Sequence, residues 1–174
     1  LLLNHTENPD TLSPLFSNMQ YCSTRDSGVS LSLSEAIIAG ISPDGGLFFP
    51  KRMPMVTRQE REAFQGMTYA EIAAFLFHRF CGDSFSPEEV QEISRSAYSS
   101  EQFDSSAVAP VKKLDDDTFV LELFHGPTGA FKDFALQFLP RVMRLAIEKE
   151  GCSDLCILVA TSGDTGGAAL AGFA

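Results

Sequence analysis

FVLELFHGPTGAFKDFALQFLPRVMRLAIEKE, residues 119 to 150, followed by LCILVATSGDTGGAALAGF at 155 to 173, is the stretch on which the fold turns. Each part runs from a short apolar, β-rich segment through a loop of glycine and small polar residues into a helical pattern. Apolar strands alternating with helices predict a parallel sheet with crossover helices. Ligands of such sheets gather at the carboxyl ends of the strands, and HGPTGAFKDF and SGDTGG both fall on that edge. The fold class expected from residue 111 onward is therefore α/β.

The first loop sets Lys132 between Phe131 and Phe134, just where loop becomes helix. A solvated helix lysine is the plain reading of that position. An amine crowded by aromatic rings is also a candidate for a lowered pKa, and a neutral amine attacks carbonyls to form a Schiff base. The second loop offers hydroxyls at Thr161, Ser162 and Thr165, glycines at Gly163, Gly166 and Gly167 that let a ligand approach the backbone, and free amides at a helix start. Those are the components of an anion site, with an ordinary Ser or Thr helix cap as the alternative. The glycine spacing is not that of a nucleotide P-loop, and no lysine follows it. A Schiff-base lysine beside a loop for a carboxylate or phosphate describes pyridoxal-phosphate chemistry on an amino acid.

Upstream, residues 20 to 110 read as a mainly helical unit. YCSTR is a short strand, SLSEAIIAGI a helix with a serine start, and SPDGGLFFP a turn into a strand, the Asp-Gly pair supplying positive φ. In TYAEIAAFLFHRFCG the residues Tyr69, Ile72, Ala73, Leu76 and Phe80 recur at helical spacing before Gly82. SPEEVQEISRSAYS has Pro87 in the first turn, where proline suits a helix. His78 is assigned a structural role, and Asp115, Asp116 and Asp117 a solvated hairpin turn.

The 174 residues include 13 Lys and Arg against 23 Asp and Glu, a net charge of -10. That balance argues against nucleic acid as a partner, so an anionic ligand must be held by local donors. No stretch approaches the roughly 18 to 20 uncharged apolar residues of a membrane helix. Four irregularly spaced cysteines and three histidines point to neither a metal site nor a disulfide framework, which fits a reducing cytoplasm. LLLNHTENPDTLSPLFSN has no helical or strand period, and residues 1–19 are expected to be a leader or a disordered segment. SGDTGGAALAGFA stops inside a helical pattern without a cap, so the chain is expected to be a fragment.

The stretches YCSTRDSG, EAIIAGISPDGGLFFP, LELFHGPTGAFKDFALQF and ATSGDTGGAA, in this order, resemble the N-terminal portion of the threonine synthases, whose fold is shared with the tryptophan synthase β-subunit. The resemblance runs from about residue 20 to the end. It implies a threonine synthase N-terminal domain at 20–110 and the incomplete start of a parallel-sheet, pyridoxal-phosphate-dependent catalytic domain at 111–174. It also implies that Lys132 holds pyridoxal 5'-phosphate as a Schiff base and shuttles protons. Thr161, Ser162, Gly163 and Thr165 would then bind the substrate's α-carboxylate, and Asp164 would lie at the cofactor. Many relatives in the wider fold carry Asn in place of Asp164, facing the cofactor's phenolic oxygen. The implied reaction converts O-phosphohomoserine and water to threonine and phosphate. A phospholyase acting on another amino-acid phosphate, and a non-catalytic binding module that keeps the fold, are the alternatives. The sequence does not indicate an oligomeric state. The residues for the cofactor's phosphate and pyridine nitrogen are expected outside this chain.

Overall fold

A computed structural model describes residues 19–152 and 155–174. Residues 1–18 of the expected leader lie outside the described residues; Met19, its last member, is buried in the core at 4% exposure.

The first half is built around four helix starts that share one chemical device. Helices α1 (Leu33–Ala39), α2 (Arg58–Ala63), α3 (Tyr69–Cys81) and α4 (Pro87–Ala97) are each preceded by a Ser or Thr whose side chain accepts from the third helical amide. In each case a glutamate at that third position reaches back to the cap amide. The pairs are Ser32 with Glu35, Thr57 with Glu60, Thr68 with Glu71 and Ser86 with Glu89. Two orphan donors are satisfied at each start, so the boundary is fixed by local sequence. Strands β1 (Tyr21–Ser23) and β2 (Phe48–Pro50) pair antiparallel. Gly45, at φ 76°, makes the expected turn after Asp44.

Helix α3 ends at Gly82 as its sequence predicts. Its apolar stripe is only half-buried, however. Tyr69, Ile72, Ala73, Leu76 and Phe80 line, with Phe77, Tyr98 and Phe138, an apolar groove of about 390 Å³. The buried side of the helix carries Ala74, Cys81 and, unexpectedly, Arg79. The Arg79 guanidinium, 7% exposed, donates to the Met55 carbonyl and to Glu60, and lies 4.4 Å from the Phe75 ring centroid. Its hydrogen bond, with the cap amide of Thr57, holds the Glu60 carboxyl at about 2, below its ordinary 4.5. A depressed carboxylate contributes stability above its unfolded value and loses it as pH falls through the folded one. The urea midpoint should therefore decline between pH about 4.5 and about 2. Glu60→Gln should cost about 1 to 2 kcal/mol at neutral pH, allowing for the partial exposure of Glu60, and remove that part of the acid dependence. An acid profile left unaltered by Glu60→Gln would refute this assignment.

Beyond residue 110 the structure departs from the expected parallel sheet. Strands β3 (Val111–Lys113) and β4 (Phe119–Leu121) form an antiparallel hairpin. Its turn is the predicted acidic one, with Asp115 Oδ1 accepting from the amides of Asp117 and Thr118. FVLELF thus gives a strand, but its partner is the preceding segment. Residues 155–161, read as a second parallel strand, form no strand, and Leu158 is 91% exposed. Among the described residues both sheets are two-stranded and antiparallel. An apolar run signals burial but not the direction of its neighbour, and among the described residues no strand pairs with 155–161. The chain is α/β with small sheets, and no parallel sheet is formed among the described residues.

The helix expected over ALQFLPRVMRLAIEKE is two helices, α5 (Asp133–Leu136) and α6 (Leu139–Glu150). Pro140 has no N–H for the Leu136 carbonyl, so the helix breaks before it and restarts with proline in its first turn. Val142 and Ala146 of α6 join Met19, Tyr21, Leu33, Ala36, Cys81, Phe85, Val90 and Ile93 in one apolar core. A last helix, α7 (Asp164–Phe173), packs on α5.

Candidate functional site

The turn that carries Lys132 is shaped by its neighbours. Asp133 is fully buried and accepts from the Thr128 amide at 2.9 Å and from the Thr128 hydroxyl at 2.7 Å. Gly126 passes so close that a Cβ there would stand 2.5 Å from Asp133 Cβ. The Tyr98 hydroxyl donates to the Phe134 carbonyl at 3.0 Å. The Phe134 ring packs against Phe103, with centroids 5.1 Å apart, and Tyr69. Lys132 is thereby fixed at the start of α5, with its side chain 29% exposed. Phe131 supplies the expected aromatic neighbour, Nζ lying 4.4 Å from its ring centroid.

The second loop is held to the first by glycine. Gly172 of α7 crosses the Leu136 carbonyl so tightly that any Cβ would overlap it, and such a Cβ would also stand 3.2 Å from Pro140 Cγ. This contact seats α7 against α5 and brings Asp164 Oδ2 to 3.5 Å from Lys132 Nζ. Gly163 caps α7 at φ 143°, a backbone open to glycine alone. Gly166 leaves room for the Thr161 methyl group, 2.7 Å from where a Cβ would be.

SGDTGG is therefore only partly loop, because α7 already begins at Asp164. No side chain caps it, and its first ladder bond runs from the Gly167 amide to the Gly163 carbonyl at 2.9 Å. The amides of Asp164, Thr165 and Gly166 point out of the helix start. The plain capping role for Ser162 or Thr165 is accordingly not formed. Thr161, Ser162, Gly163 and Asp164 are exposed and Thr165 half-buried. The amine of Lys132 and the carboxylate of Asp164 thus meet at a helix start whose amides are unspent, with the hydroxyls of Thr161, Ser162 and Thr165 flanking Asp164 along the chain. That arrangement can hold an anion and present a nucleophilic amine beside it.

Lys132 lines neither the apolar groove along α3, whose Tyr69 and Tyr98 reach Phe134, nor a polar hollow of about 330 Å³ lined by Gln20, Ser34, Asp83, Lys149 and Glu150. Among the described residues no group of His, Cys, Asp and Glu is arranged to hold a metal ion, and no helix is long and apolar enough to cross a membrane. Cys22, Cys81, Cys152 and Cys156 are free thiols. His78 rides half-buried on α3. Sequence reasoning passed over His125, which two carboxylates flank, and Asp133, whose buried pairing with Thr128 orders the lysine turn. Their signal was the dense spacing of polar residues inside an otherwise small and aromatic loop.

Residues 20–98 match the family model described as threonine synthase N terminus. A threonine synthase of Pseudomonas aeruginosa is 40% identical over 154 residues, covering 88% of this chain and 32% of the relative. The human protein called threonine synthase-like 1 is 45% identical over 142 residues, 80% of this chain and 19% of its own length. Among solved structures, a pyridoxal-phosphate-bound threonine synthase from Brucella melitensis superposes with a TM-score of 0.83 at 41% identity, over 89% of this chain and 33% of that one. The yeast threonine synthase gives 0.77 at 30% identity, over 90% of this chain and 33% of that one. The chain spans about a third of the length of the threonine synthases it matches.

Proposed function

We propose that this chain, similar to the N-terminal third of the threonine synthases, holds pyridoxal phosphate on Lys132 and contributes to making threonine from O-phosphohomoserine and water. The observation that carries the reading is the 3.5 Å approach of Lys132 Nζ to Asp164 Oδ2, which joins two loops about thirty residues apart at one amine. The residues fit the cofactor: the amine is partly exposed, an aromatic ring lies beside it, and an uncapped helix start faces it. Pyridoxal phosphate supplies an electron sink through which protons leave Cα and Cβ of the substrate, so that a γ-phosphate can depart and water can add.

This chain's own residues have separate tasks in that scheme. Lys132 holds the cofactor and, once released from it, accepts and returns protons at Nζ. Asp164 keeps that nitrogen on the side of α7. Thr161, Ser162, Gly163 and Thr165, with the amides at the helix start, take the substrate carboxylate, whose charge the helix dipole favours. In this reading residues 20–110 form the N-terminal domain and 111–174 open the catalytic one, in a cytoplasmic enzyme acting on a small molecule. A second reading, compatible with a relative named threonine synthase-like 1, is a phospholyase using the same lysine and anion loop on another amino-acid phosphate.

In full-length protein containing this chain, Ser162→Ala and Thr165→Ala should each lower kcat/KM for O-phosphohomoserine about ten- to a hundredfold, the worth of a hydrogen bond to a charged group. Melting temperature should stay near wild type, because neither side chain caps α7. A stability loss of about 1 kcal/mol with unchanged kinetics would reduce the loop to a helix cap. Turnover of a different amino-acid phosphate with none of O-phosphohomoserine would select the phospholyase.

A further inference from the structure

Just before the lysine turn, one imidazole is gripped from both sides. His125 Nδ1 lies 2.6 Å from Asp104 Oδ1, and Nε2 lies 2.9 Å from Glu122 Oε2. The side chain is 16% exposed and stacks on Phe124 with ring centroids 4.6 Å apart. The backbone repeats the connection, since the Asp104 amide donates to the His125 carbonyl at 3.0 Å. Asp104 is anchored in turn, because it follows Phe103, which is 2% exposed and packs against Tyr98 and Phe134.

We propose that His125 is a positioning residue, whose ring ties the start of the HGPTGAFK turn to Asp104 and Glu122 and thereby holds Lys132 in place. A neutral imidazole has one N–H and one lone pair, so between two carboxylates it leaves a lone pair facing an anionic oxygen. Only the imidazolium donates to both. The hydrogen bond to Glu122, and then that to Asp104, accordingly raises His125 above its ordinary 6.5. From the ring the connection to the lysine is short and stiff. Gly126, the next residue, abuts Asp133; Asp133 is clasped by Thr128 and adjoins Lys132.

A raised histidine value means that the clasp is complete below pH about 6.5 and is lost as pH rises through the higher folded value. The importance of Lys132 as the reactive amine rests on the function proposed above; the clasp itself does not. The test uses full-length protein and compares wild type with Asp104→Asn, which keeps the backbone bond to His125 and removes one charge from an exposed position. Amide hydrogen exchange of the 124–134 peptide, corrected for intrinsic rates, should lose protection with a midpoint above pH 6.5. In Asp104→Asn that midpoint should fall toward 6.5, while peptides from α3 and α4 keep their protection in both proteins. The pH midpoint for borohydride-fixed pyridoxal phosphate labelling at Lys132 should shift in the same direction between the two proteins. Protection of 124–134 that does not depend on pH, or a midpoint unmoved by Asp104→Asn, would overturn the proposal. A shifted midpoint with no label on Lys132 in either protein would leave the clasp established and sink the cofactor reading.

Discussion

Full-length protein carrying Lys132→Ala is expected to take no borohydride-stable pyridoxal phosphate label and to lose on the order of 10³-fold or more in kcat. The wild-type label should map to the peptide around residue 132. The loss arises from chemistry, because the side chain is partly exposed and its departure leaves the Asp133 to Thr128 pairing intact. Stability should therefore change by no more than about 0.5 kcal/mol. Label on Lys112 or Lys113 of the β3–β4 hairpin, or equal labelling of the variant, would remove the basis for an enzymatic reading.

The second large effect is expected at a residue with no side chain. Gly172→Ala places a Cβ inside the Leu136 carbonyl, and backbone against backbone has no rotamer through which to yield. Overpacking of this kind should cost about 2 to 4 kcal/mol and push α7 off α5. Asp164 would then part from Lys132, and cofactor capture should weaken together with the melting temperature. Gly167→Ala, in the same helix, is the control. Nothing stands within 4 Å of its would-be Cβ, so the better helix former should be neutral or stabilising by up to about 1 kcal/mol. If the two substitutions behaved alike, the close crossing of α5 and α7 would not be what seats the anion loop.

The helical half was legible because its signals are local. SLSEAIIAGI and SPEEVQEI carry their caps in the sequence, and the Asp-Gly pair at 44–45 announces its own turn. A fuller reading of the S/T-x-x-E pattern would also have placed α2, through Thr57 and Glu60. The pairing partner of FVLELF was not legible, since period and composition report how apolar a strand's surroundings are and say nothing of what lies beside it. Nor was the break at Gln137–Phe138, although Pro140 was in view, because the apolar period continues across it. At the candidate site the residue types in the two loops pointed to Lys132 and residues 161 to 165, and the structure brings Lys132 to Asp164. That approach depends on Gly172, whose role is visible only when two backbones are seen to cross. Arg79 illustrates the converse case, a charge on an apolar helix that composition assigns to solvent and that Glu60 and the Met55 carbonyl draw inside.

The four capping boxes also bear on the order in which the molecule assembles during synthesis. A chain leaving the ribosome exposes a complete helix-start signal at 32, 57, 68 and 86, each readable without any distant partner, so native helix boundaries are available early. The inner faces of these helices have no such autonomy, since Leu33, Ala36 and Val90 share their core with Val142 and Ala146. That core cannot close until α6 has emerged, and Lys132 necessarily emerges before α6. The residues of the lysine turn are thus made before the helix that closes the core, and Gly172, whose crossing brings Asp164 to Lys132, follows after both.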